Sequence, residues 1–216
     1  MEKEIINSAK TDLKTVDMST DEKQDSGIRE KVDKILDMDI NIIQKAELIL
    51  IVLGLKPATE ISLGNDEESL QDAEETLKQI GLKCKEKIYP HLVNHIEEFI
   101  RNKYLHSIVV ARDEQTVEKL FALDAGSKLQ DQIEYGRLMG FPETAIKAFI
   151  ENECADNTFM QKYLQDNGLI FCFRFSKENF LQEIETVKKW SEAIKFYAPN
   201  LYAEILEEYI KIKDKI

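Results

Sequence analysis

Between Tyr135 and Phe149, two glycines, a proline and three aromatic residues crowd the join between two helical patterns, in a chain with only 8 glycines and 4 prolines. Gly136 and Gly140 are four apart, so on a continuous helix they share a face that a neighbouring element can approach closely. Pro142 fixes φ and starts a new helix. That density forces a sharply shaped bend, and shaped bends on a rigid scaffold are where sites concentrate. The stretch matches no catalytic signature, so it constrains the path of the chain before it says anything about chemistry.

Charge narrows the partners. With 29 basic and 41 acidic side chains the net charge is −12. A globally acidic chain is poorly suited to neutralising nucleic-acid phosphates or to docking on anionic membranes, so neither partner is expected. Met1 to Asp25 is charged throughout and lacks the apolar run of a signal peptide, so no leader is expected. The longest apolar run, Leu48 to Leu53, falls far short of the roughly 20 residues that span a bilayer. Cys84, Cys154 and Cys172 lack CxxC spacing, which fits a reducing cytoplasm rather than a disulfide framework.

Helix and strand patterns alternate along the chain. Residues 1–26, rich in Lys, Asp, Ser and Thr, are expected to form a disordered tail. One helix follows Ser26–Gly27 on Ile28, Val32, Ile35 and Leu36. The next, Ile40 to Leu53, is apolar nearly all round and therefore central to a core, and Gly54 stops it with Pro57 beyond. Strands are expected at Thr59–Leu63, Leu82–Tyr89, His106–Ala111 and Leu169–Phe175, the last the strongest and central in a sheet. Helices fall between them, after Asn65 or Asp66, from Pro90 to about Tyr104, after Asp113, and across Ala125–Met139. More follow from Pro142, over Asn157–Asp166, after Ser176 and from Pro199. The expected fold is α/β or α+β, a mixed sheet of about four strands covered by many helices, in one globular domain over residues 27–216.

Around the bend, Gly136, Leu138, Met139, Gly140, Phe141, Pro142, Ile146 and Phe149 match a Gly-x-Leu-Leu-Gly-Tyr-Pro-x-Cys-Cys-Val-x-x-Phe signature. On these positions the chain resembles an archaeal family known as domain of unknown function 483. The match covers about 14 residues, with weaker similarity in the strand–helix unit before it. The family brings no assigned activity. Thr144 and Ala145 stand where its paired cysteines would be, so any metal or thiol role of that pair is absent here.

Several residues invite a functional reading beside a structural one. Pro142 leaves free N–H groups at Glu143 and Thr144 that could hold an anion, reinforced by Arg137 and Lys147; the plainer alternative is a packed helix corner. His91, His95 and Glu98 share one helical face at metal-ligand spacing, but a solvated polar face explains them better, and no metal or cofactor is expected. Lys83, Lys85 and Lys87 project from one face of a strand, where guarding an exposed sheet edge outweighs phosphate binding. Arg174, the one charge in Leu169–Phe175, needs a partner carboxylate or a ligand, and Arg112 ends another strand. The cysteines look inert: Cys172 alternates with phenylalanines, and Cys154 follows Glu151 and Glu153.

No catalytic constellation assembles from these residues. The leading expectation is a non-catalytic binding or regulatory domain recognising a small anionic ligand or a partner protein, through Arg112, Arg137, Glu143, Lys147 and Arg174. The rival is an enzyme, a transferase or hydrolase acting on a phosphorylated small molecule held by the same arginines. A third reading is homo-oligomer formation through the aromatic C-terminal helices carrying Trp190, Phe196, Tyr197, Tyr202 and Tyr209. Convergence of Arg112, Arg137 and Arg174 in one cleft beside an acid favours the enzyme; dispersal weakens both ligand readings.

Overall fold

A computed structural model describes residues 18–63, 67–88, 106–123, 128–171 and 173–213. In chain order its elements are α1 (Met18–Asp37), α2 (Ile42–Val52), β1 (Ala58–Leu63), α3 (Glu67–Gln79), β2 (Lys83–Ile88), β3 (His106–Ala111) and α4 (Glu114–Ala122). Then follow α5 (Leu129–Leu138), α6 (Glu143–Glu151), α7 (Asn157–Asp166), α8 (Phe180–Tyr197) and α9 (Pro199–Lys213). The architecture is mixed and mostly helical. Helix α1 begins at Met18, so residues 18–26 are helical rather than part of a tail. The helix expected from Pro90 to Tyr104, with His91, His95 and Glu98, lies outside the described residues. Among those described, no group of three or more His, Cys, Asp or Glu side chains could hold a metal ion, and no helix is long and apolar enough to cross a membrane.

The sheet has the order β1–β3–β2, both pairs antiparallel. Strand β3 is central and its Ser107–Ala111 stretch is buried, as its β-branched sequence suits. Period-2 alternation divides its residues between two cores. Ile108 and Val110 face a large core with Ile61 and Leu63 of β1, while Val109 and Ala111 join Ala58, Val117, Leu120, Leu138 and Met139 on the other side. Helix α2 lies in the large core and touches α1, α8, α9 and β1, as its all-round apolar sequence requires. The lysines of β2 do sit on a sheet edge. Lys85 pairs with Glu118 at 2.7 Å and lies over the Phe121 ring, and Lys87 donates to the Leu123 carbonyl, so these cations are engaged with α4 and its end.

Among the described residues the fourth strand does not form. Leu169, Ile170, Phe171, Phe173 and Phe175 are buried as the alternation implied, while Arg174 is exposed. No ladder closes their backbone: Leu169 N–H donates to the Leu164 carbonyl, the Phe175 carbonyl accepts from Ala155 N–H, and side chains meet the groups at the buried start of the segment. Ile170 N–H donates to Ser191 Oγ (3.1 Å), Tyr209 donates to the Ile170 carbonyl (2.9 Å), and Tyr202 donates to the Gly168 carbonyl (2.7 Å). Among the described residues, pairing here reduces to one isolated bridge, Cys154 with Ser176. An apolar run records burial, not which partner closes its hydrogen bonds. Tyr202 and Tyr209 are therefore used inside the fold, as is the buried Trp190. Of the five aromatics considered for oligomerisation, Phe196 is the exposed one, set against Tyr197 and Arg29.

Candidate functional site: the hollow beside the bend

The bend is a helix corner built on two glycines. Helix α5 ends at Leu138, and Gly140 takes φ 78°, a left-handed turn that returns the chain towards α6. Gly140 also lies close under other elements: a Cβ there would stand 3.0 Å from Pro57 Cδ and 3.5 Å from Trp190 Cζ2. Gly136 is buried within α5, where an ideal Cβ would meet Ile146 Cγ1 at 2.9 Å. Ordinarily Gly→Ala inside a helix stabilises by about 1 kcal/mol. Here Gly136→Ala will instead destabilise by about 1–3 kcal/mol through overpacking. The added variant Ile146→Ala will remove that penalty, a non-additivity that urea denaturation of the single and double variants will measure.

Beside this corner lies a hollow of about 280 Å³. Helix α5 contributes Gln132, Tyr135 and Gly136, the bend contributes Phe141, and α6 contributes Ala145, Ile146 and Phe149. Phe173 and Arg174 close it from the 169–175 segment. The walls are almost wholly apolar. Phe149 is 52% exposed and stands at the edge of this space. Phe173 packs tilted at 5.3 Å against Phe141 and edge-on at 6.3 Å against Trp190, so one ring separates the hollow from the single tryptophan of the chain.

Of the five residues singled out from the sequence, only Arg174 reaches this hollow. Its Nη1 donates to Asn157 Oδ1 at 2.9 Å, and among the described residues it has no ion pair, contrary to the carboxylate partner expected for it. Arg137 makes a bidentate pair with Glu143 (2.7 and 3.0 Å) and approaches Glu134 at 3.6 Å, on a surface where its side chain is 45% exposed. The Arg137 guanidinium holds the Glu143 carboxyl below its ordinary range. Glu143 itself occupies the first turn of α6, so the start of that helix already carries its own negative charge. Lys147 is exposed and faces Glu151 at 3.9 Å. The exposed Arg112 lies across Gly54. The three arginines thus share no single hollow.

A second polar group, which the sequence reading passed over, lies in the interior near Trp190. Lys56, only 1% exposed, is ion-paired with Glu47, and Thr59 donates to the other Glu47 oxygen at 2.6 Å. The ammonium stands 6.0 Å from the Trp190 ring centroid, and Trp190 Nε1 donates to the Leu55 carbonyl. Burial pushes the Lys56 ammonium below its ordinary pKa, against the opposing pull of Glu47. Glu47 was a legible signal, being the one acid in a helix otherwise nearly all apolar; Lys56 read as a loop residue before a proline.

Tyr135 joins the two regions. Burial, reinforced by the negative charges of Glu60 and Glu47, pushes its phenol up to about 12. Between the ordinary value of 10 and about 12 the fold keeps a proton that the unfolded chain has lost, so stability falls as pH rises through that window. Tyr135→Phe will remove this alkaline loss, which unfolding free energies measured from pH 9 upward in both chains will reveal. Compared with protein-family models, characterised proteins and solved structures, the chain matches none.

Proposed function

We propose that this chain is a non-catalytic binding domain whose recognition site is the apolar hollow beside the bend, seating a small ligand with Arg174 at its charged end. The observation that carries this reading is the composition of the lining. It includes no Ser, Thr, Cys, His, Asp or Glu. Its one phenol, Tyr135, is raised to about 12 and so stays protonated near neutrality, unsuited to act as a base. A mostly apolar concavity with few polar groups is what small-molecule sites have in common. The resemblance to the archaeal family adds a shaped corner without an activity.

The rival, a transferase or hydrolase working on a phosphorylated small molecule, needs several cations and an acid or base around one phosphate. Arg112 and Arg137 lie away from the hollow, so no specific observation favours it. The test is amide-resolved NMR of the whole chain during titration with the neutral probe 3-phenylpropanol. Shifts concentrated at Tyr135, Gly136, Ile146, Phe149 and Phe173, and weakened by the hollow-filling variant Gln132→Phe, are expected. Absence of shifts at those residues refutes the reading.

A further inference from the structure

We infer that the ligand of this hollow is a small amphiphilic carboxylate, an aromatic or branched aliphatic acid whose apolar body fills the space and whose carboxylate lies on Arg174. The inference rests on the reading of the hollow as the binding site and names the class of molecule it takes. Three observations converge on that class.

The first is charge. Arg174 stands at the edge of an apolar space with one described hydrogen bond, to a neutral amide oxygen. A guanidinium has five N–H donors; with one held by Asn157, the others of the exposed Arg174 face solvent, where an oxyanion can exchange for water, and its planar edge matches the two oxygens of a carboxylate. In a chain of net charge −12, an anion is held only where a local cation overrides the general repulsion. The second is valence. No second Lys or Arg belongs to the lining, which suits a monoanion better than a phosphate dianion. The third is size and polarity. About 280 Å³ is just below the lower end of the roughly 300–1,000 Å³ usual for ligand pockets, too small for a nucleotide. The apolar walls of Tyr135, Ile146, Phe149 and Phe173 require the ligand's charge to sit at one end rather than along its body. Asn157, by holding one Nη of Arg174, keeps the guanidinium in place at the edge.

The experiment compares 3-phenylpropionate with its neutral counterparts, 3-phenylpropanamide and 3-phenylpropanol. Binding is followed by calorimetry and by the emission of Trp190, which Phe173 connects to the hollow. The acid is expected to bind at least about tenfold more tightly than either neutral probe, because a charge-assisted bidentate contact is the stronger kind of hydrogen bond. Arg174→Gln should erase that preference while leaving 3-phenylpropanol within about twofold of its original affinity. Since Arg174 is exposed, the variant is expected to keep the fold, checked by its thermal midpoint. Equal binding of acid and alcohol, indifferent to Arg174→Gln, overturns the inference and leaves the hollow as a binding site. Failure of all three probes to bind overturns both.

Discussion

Replacing Glu47 by alanine will destabilise the protein by about 3–5 kcal/mol, the cost of leaving a buried charge without its partner. The size of the effect follows from the asymmetry of the pair. Lys56 is 1% exposed and Glu47 20%, so losing the acid strands an ammonium that water cannot reach. The same substitution takes away the acceptor of the Thr59 hydroxyl, itself wholly buried. Lys56→Met is the milder change, because it leaves a carboxylate that keeps Thr59 and still meets solvent. The double variant Glu47→Ala, Lys56→Met will therefore be more stable than Glu47→Ala alone, although it carries one more substitution. There is a pH signature as well. The unfolded chain holds the Lys56 proton more tightly than the fold does, so the stability of Glu47→Ala rises as pH climbs towards the ordinary lysine value of 10.5. Urea denaturation of the four chains from neutral pH upward checks the order and the slope.

The second large effect is expected where the chain departs from a sheet. Ile170 is fully buried, with its N–H donating to Ser191 and its carbonyl accepting from Tyr209. Ser191→Ala or Tyr209→Phe orphans one buried backbone group at about 1–3 kcal/mol each, and the pair will lose about 2–5 kcal/mol. Were residues 169–175 held by strand pairing, those hydroxyls would be dispensable. Denaturation of the three variants, together with the exchange rate of the Ile170 amide, separates the two cases: faster exchange in Ser191→Ala is expected, and an unchanged rate with unchanged stability contradicts the side-chain account.

These two sites mark how far the residues could be read in advance. Elements governed by local chemistry were legible. Asp113 accepts from Thr116 N–H at 2.8 Å to start α4, Gly54, Gly81 and Gly168 stop helices with positive φ, and the first three expected strands became β1, β2 and β3. Residues 169–175 were legible as buried but not as unpaired, because alternation in Phe171, Phe173 and Phe175 is the same whether a ladder or a set of hydroxyls closes the backbone. At the bend, the glycines and aromatics marked a corner that does lie beside a hollow, but not one of the expected character. Charge was the expected content, yet Arg137 spends itself on Glu143, six residues away, while the space itself is apolar. Gln132 and Phe173, needed to close the hollow, come from outside the marked stretch, and no local spacing announces such a meeting. Lys56 shows the same limit: a lysine beside a proline reads as solvated until the helix carrying Glu47 is packed against it.

The occupant of the space between Phe149 and Arg174 decides the central question. A crystal structure of the whole chain grown with 3-phenylpropionate should show the phenyl ring between Tyr135, Ile146 and Phe173, with both carboxylate oxygens on the Arg174 guanidinium. Clear density for the acid elsewhere on the molecule, with the hollow holding only ordered water or closed by Phe149, contradicts it.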